Sequence, residues 1–193
     1  GTQMVVKGLD FDKVSLVGIL DADGLLAFAD FRVNERAFQL MEQVSGRAGR
    51  KKEQGKVIIQ ATNVKHPVLQ LVQQHDYKRL YEMEIENRKQ FFYPPYSRII
   101  LLTLKHKDKN TVTGAAERLT QLLKQDLKDF IVGPAAPVVN RIRNQYLMEI
   151  LIKLPKEPGM SSRYKAAIRN HINLVTGEKN FKSVLVVTDV DKM

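Results

Sequence analysis

Cysteine is absent from the 193 residues. That excludes disulfides and thiolate-held metals, and it suits a reducing compartment. Histidine is scarce. Only His66, His75, His106 and His171 occur, no two at metal-ligand spacing, so no metal site is expected in this chain. No apolar run approaches the roughly 18–20 residues that a membrane span needs. The opening Gly1-Thr2-Gln3-Met4 has neither the basic nor the apolar region of a secretory signal. A soluble chain in the cytoplasm, with no membrane partner, is the expectation. The phosphate-cradling pattern G-x-x-x-x-G-K-[ST] is missing as well.

What is present is ordinary in bulk and uneven in charge. Hydrophobic residues make up 44% and charged residues 27%, which fits a globular protein of one large or two small domains. The formal net charge is +10. Residues 1–93 carry 14 basic and 12 acidic side chains; residues 94–193 carry 17 and 9. A net +8 on the second half points to a polyanionic partner, nucleic acid first. The plainer alternative is a basic surface with no partner.

The hydrophobic pattern divides the same way. Val14–Leu20 reads as a buried strand of a parallel sheet, ending in the turn signal Asp21-Ala22-Asp23-Gly24. A helix from Asp30, with Asp30 as its cap, to about Ala48 follows, then the strand Lys56–Gln60. This is the grammar of an α/β domain, but two strands are too few to stand alone. With a loop-like start, the chain reads as part of a longer protein. Helices are expected from His66-Pro67 and over Tyr77 to about Phe91. Pro94-Pro95 stop the second and mark a domain boundary. Beyond it the order is β-α-β-β-α-β, expected to form one antiparallel four-stranded sheet with both helices on one face. The expected domains are 1–63, a helical connector over 64–93, and 94–193.

Two motifs carry chemistry. Gln43 to Arg50 reads Q-V-S-G-R-A-G-R where a helix ends. A helix C-terminus favours cations, which accounts for one arginine. The spacing of Gln43, Gly46, Arg47, Gly49 and Arg50 suits a phosphate grip, because the guanidinium fork donates two parallel bonds and never deprotonates. Gly46 and Gly49 are expected to permit a sharp turn. At the start, G-T-Q-M-V-V-K-G-L-D-F places Thr2, Gln3, Lys7, Gly8 and Asp10 in one loop. In the second half, Asn140 to Tyr146 reads N-R-I-R-N-Q-Y and sets Arg141 and Arg143 beside Tyr146, a group suited to phosphate contact and base stacking. Lys105, Lys107 and Lys109 extend that basic surface. A merely solvated hairpin is the competing reading. Tyr93 and Tyr96 read as packing beside the prolines rather than as a stacking platform.

These residues carry a resemblance. Gln43–Arg50 resembles the sixth motif of superfamily 2 helicases, and the opening loop resembles the fifth. Together with "DAD", "DFR", "PPYSR" and "VVTDVD", the chain is similar over nearly its whole length to the bacterial primosomal replication-restart helicases, DNA helicases that move 3′ to 5′. It departs at Ala29 and Lys192, where the family usually has proline. The resemblance implies an α/β plus α+β architecture: the end of a RecA-like second helicase lobe, then a ferredoxin-like domain. It implies ATP and Mg²⁺ as the cofactors of the whole enzyme, with none held by this chain alone and the family's zinc outside it. Arg50, and with it Arg47, is implied as the catalytic finger; Gln43, Gly46, Gly49, Gly8 and Asp10 as nucleotide contacts; Thr2, Gln3, Lys7, Arg141, Arg143 and Tyr146 as DNA contacts. The implied partners are forked or single-stranded DNA, single-stranded DNA-binding protein and other primosome proteins, and the first helicase lobe. The rival reading is a non-enzymatic nucleic-acid or ribosome-associated module built on the second half.

Overall fold

The computed structural model describes residues 14–48, 55–156 and 160–191. The chain divides between Arg88 and Lys89 into two compact units. The N-terminal unit runs β1 (Leu16–Ile19), α1 (Ala22–Leu26), α2 (Val33–Ser45), β2 (Lys56–Ile59), α3 (Pro67–Gln74) and α4 (Tyr77–Gln90). β1 and β2 pair in parallel, Leu16 opposite Lys56 through Ile19 opposite Ile59. Side chains alternate across a strand, so one face carries Ile19 and Ile59 into the core. The other leaves Leu16 and Ile58 each 56% exposed. Parallel sheets are ordinarily covered on both faces; among the described residues one face is bare here.

Two local expectations change. The Asp21–Gly24 turn continues as the short helix α1, because Asp21, at φ 53°, caps it by accepting from the Gly24 amide. Asp30 does not cap α2. Its carboxylate accepts from the Arg32 amide at 2.9 Å three residues before the helix begins, and α2 starts at Val33 without a side-chain cap. Asp30 is instead the hub of two ion pairs, to Arg32 and to Arg36. Helices α3 and α4 send Val68, Leu69, Leu71, Val72 and Leu80 into the same core as Phe38 and Met41 of α2. Pro67 at the first turn and His66, whose ring accepts from the Val68 amide, start α3.

The C-terminal unit runs β3 (Ser97–His106), α5 (Lys109–Leu127), a short 3₁₀ turn (Lys128–Phe130), β4 (Ile131–Ala135), β5 (Arg141–Ile142), β6 (Gln145–Pro155), α6 (Met160–Gly177) and β7 (Leu185–Val190). The expected β-α-β-β-α-β order is present, with β5 as an addition pairing only with β6. The strands stand in the order β4-β6-β3-β7, all antiparallel. Every second residue of β3 (Ile100, Leu102, Leu104) and of β6 (Ile150, Ile152, Leu154) enters one core. Ala115, Leu119 and Leu123 of α5, at helical spacing, and Ile168 and Val175 of α6 meet them there. Asp108 fixes the start of α5 by accepting from the Thr111 amide and hydroxyl, both at 2.7 Å. Those bonds hold the Asp108 carboxyl below its ordinary range. β4 bulges between Val132 and Ala135. Gly133 sits there at φ 106°, and an added Cβ would lie 3.0 Å from the Glu149 carbonyl.

Candidate functional site

Helix α2 ends where the arginine motif begins. Gly46 donates its amide to the Glu42 carbonyl at 2.9 Å, Arg47 to Val44 at 3.0 Å and Ala48 to Ser45 at 3.0 Å, so the backbone tightens over the last turn. Gln43 and Gly46 are exposed and Arg47 is half-buried. Gly46 lies at φ −64°, an ordinary helical value. An added Cβ would meet the Glu42 carbonyl no closer than 3.5 Å. The turn at Gly46 therefore does not need glycine's freedom, contrary to the expectation from sequence. Gly49 and Arg50 lie outside the described residues, as do Thr2, Gln3, Lys7, Gly8 and Asp10.

Gln43 lines an open groove of about 490 Å³ along α2, with Arg36, Gln39 and Leu40 on the helix and Leu25, Phe28 and Asp30 across from it. The spacing 36, 39, 43 puts these polar side chains on one helical face. Sequence reading missed this groove, since Phe28 and Asp30 reach it only through the bend after α1. Burial alone would raise the Asp30 carboxyl; hydrogen bonds from Arg32 and the charges of Arg32 and Arg36 more than offset it, and its pKa falls. Arg36 is thereby held at 2.8 Å from Asp30, with half of its side chain exposed to the groove's solvent.

The second patch is built by strand register. His106 at the end of β3 stands opposite Tyr146, and Lys105 stands opposite both Leu147 of β6 and Leu185 of β7. The same sheet end thus receives Lys105, Lys107 and Lys109 from one connection and Arg141 and Arg143 from the β5–β6 hairpin. Lys182 arrives before β7, next to Ser183, whose hydroxyl bonds His106 at 3.0 Å. Among the described residues, none of these six cations makes a salt bridge. Lys182 was not anticipated, because only β7 pairing brings it there.

Arg141 and Tyr146 come together as expected. They pair across the hairpin, with the guanidinium 4.9 Å from the ring centre. Asn144 accepts a hydrogen bond from Arg141 as well, so the guanidinium is held on two sides. The turn itself is unusual: Arg143 and Asn144 both have positive φ, 48° and 62°. Hairpin turns of this hand favour Asn-Gly, and a left-handed arginine costs roughly 1–2 kcal/mol. Tyr146 packs partly against the core, which leaves little of its ring for stacking. Tyr93 is also occupied: the Lys153 ammonium lies 3.6 Å from its ring centre and donates to the Phe91 carbonyl at 2.8 Å. Desolvation there lowers the Lys153 pKa.

Comparison with known proteins decides the family. A family model described as the primosomal protein N C-terminal domain matches residues 89–193. The chain belongs to that family. It is 41% identical over 175 residues to the replication restart protein PriA of Bacillus subtilis, which covers 89% of this chain and 22% of that protein. PriA of Synechocystis is 43% identical over 80% of this chain and 19% of the relative. PriA of Treponema pallidum is 40% identical over 82% and 24%. The chain thus spans about a fifth to a quarter of the length of these relatives. Among the described residues no helix is long and apolar enough to cross a membrane, and no group of three or more His, Asp or Glu stands ready for a metal.

Proposed function

We propose that this chain is part of an ATP-dependent 3′→5′ DNA helicase that restarts stalled replication forks; the names of its relatives support the replication-restart part of this reading. The observation that carries this is the end of α2. Gln43 lies exposed on the groove along α2, and Gly46 and Arg47 follow within one turn in the Q-x-x-G-R-x-G-R series. ATP supplies the scissile phosphoanhydride when it is bound. This chain lacks the loop that would cradle its β-phosphate. What the chain contributes is a carboxamide at Gln43 and cations at Arg47 and Arg50, presented toward phosphates held elsewhere in the longer protein. A fixed guanidinium at the γ-phosphoryl group stabilises charge that develops only in the transition state.

In this reading the parallel pair β1–β2 is the edge of a RecA-like lobe of the longer protein, whose helices would cover the bare face of Leu16 and Ile58. The order β4-β6-β3-β7, with both helices contributing to one core, is read as a ferredoxin-like domain. Its unpaired cations are read as a contact for forked or single-stranded DNA, and its family as grounds for partnership with primosome proteins and single-stranded DNA-binding protein. The rival, a non-enzymatic nucleic-acid or ribosome-associated module, draws on the self-contained core of residues 89–193.

Arg50→Ala in the longer protein separates the two. DNA-stimulated ATP hydrolysis should fall by ~10³-fold or more if Arg50 is the finger. Near-normal turnover would overturn the assignment and favour the module. The 193-residue chain alone should hydrolyse no ATP, and measurable turnover by it would contradict the division of the site.

A further inference from the structure

The two edges of the C-terminal sheet are built differently. β4 is guarded. It bulges between Val132 and Ala135 and carries Pro134, which has no amide to offer. β7 forms the other edge and, among the described residues, pairs only with β3. It runs for six residues, Leu185–Val190, in unbroken register, with no proline, lysine or bulge. Such an edge is an open template for a further strand.

The register shows which backbone groups that edge offers. Asp191 donates its amide to the Ile99 carbonyl at 2.8 Å, so these two residues form a hydrogen-bonded pair. Direction alternates along an antiparallel ladder. Leu185, Val187 and Asp189 therefore turn their amides and carbonyls toward β3, while Val186, Thr188 and Val190 turn theirs to the free edge. The strand's side chains are largely aliphatic and in water: Leu185 is 54% exposed, Val187 40% and Val190 44%.

Charge selects the occupant. Lys179 and Lys182 precede β7, and Asp189 and Asp191 close it. The strand is thus basic at its start and acidic at its end. Asp189 and Asp191 repel phosphate, so the edge does not suit a nucleic-acid backbone. An antiparallel copy of the same strand lays an acidic end against a basic start at both ends of the seam. We propose that β7 pairs with β7 of a second copy of this chain, antiparallel about a two-fold axis near Val187, so that the two sheets become one. Centred there, Val186 of each copy stands opposite Thr188 of the other, and both residues have outward-facing amides and carbonyls. Val187 meets its own counterpart on the face away from the α5–α6 core.

Sedimentation equilibrium of the 193-residue chain tests this. Across a rising concentration series the apparent mass should double. Thr188→Pro deletes an outward amide and leaves the β3 ladder intact, so this variant should stay monomeric with an unchanged far-ultraviolet circular dichroism spectrum. Should it unfold, Val187→Lys decides. Its lysine lies on the surface and meets another lysine across the axis, so this variant should be monomeric, as should Val187→Glu. Mixing those two variants should restore association, which a loss of fold would not allow. A monomer at every concentration of the unaltered chain overturns the proposal. So does a dimer that survives Thr188→Pro and Val187→Lys, or a Lys–Glu mixture that stays apart. The helicase reading is untouched by any of these outcomes.

Discussion

The two units treat their cations differently. In the N-terminal unit Arg32 and Arg36 converge on Asp30, Arg88 meets Glu35 at 2.6 Å and Arg79 meets Glu82. Arg88 also lies over the Phe31 ring at 5.2 Å. In the C-terminal unit the six cations at the sheet end have no acidic partner among the described residues. Paired arginines hold helices together; unpaired ones repel each other and persist where an outside anion meets them. The cores differ in the opposite sense. The C-terminal sheet has one face fully packed by α5 and α6, while the two-stranded parallel sheet of the other unit leaves large aliphatics in water. One unit is finished as a core and gathers six cations without salt bridges at its sheet end; the other pairs its helix arginines and is open as a sheet.

The sharpest way to break this comparison is through the C-terminal core. Leu119 is fully buried between α5 and the sheet, and Leu119→Ala should cost about 2–5 kcal/mol in urea unfolding. A loss below about 1 kcal/mol would show that the unit does not depend on this core. Next in size is Glu35→Ala, which leaves Arg88 half-buried without its carboxylate. It should destabilise the N-terminal unit by about 1–3 kcal/mol, and an unchanged midpoint would place that ion pair with those that contribute nothing. The smallest effect has the other sign. Arg143→Gly relieves a left-handed arginine and should raise thermal stability by about 1 kcal/mol while weakening DNA binding. A loss of stability would mean that the side chain has a structural role.

Much of the fold was legible. The parallel pairing of two aliphatic runs, the helix opened by Pro67, the apolar face Ala115-Leu119-Leu123 and the β-α-β-β-α-β order follow from period and punctuation, which are local. Helix starts were less legible. Asp30 has the right chemistry for a cap, but two arginines within six residues drew its carboxylate into ion pairs instead. Asp21 was read as a plain turn because a left-handed cap is not written in residue type alone. In the candidate sites, the position of Gln43 to Arg47 at a helix end was readable, whereas the groove beside it was not. The pairing of Arg141 with Tyr146 was anticipated from proximity in sequence. What Tyr146 does with its other face was not, because the core covers that face.

By itself the sequence determined the family, the uneven charge, the order of elements and the arginine series closing α2. Each is a property of residues near one another in the chain. Only the tertiary structure decided which cations meet. Lys105, Arg141 and Lys182 are widely separated in sequence and share one sheet end because the strand register, in which Ile100, Leu102 and Leu104 face inside, sets Lys105 opposite Leu147 and Leu185. A one-residue slip would turn those aliphatics to water, so the burial of the core is what gathers the charge.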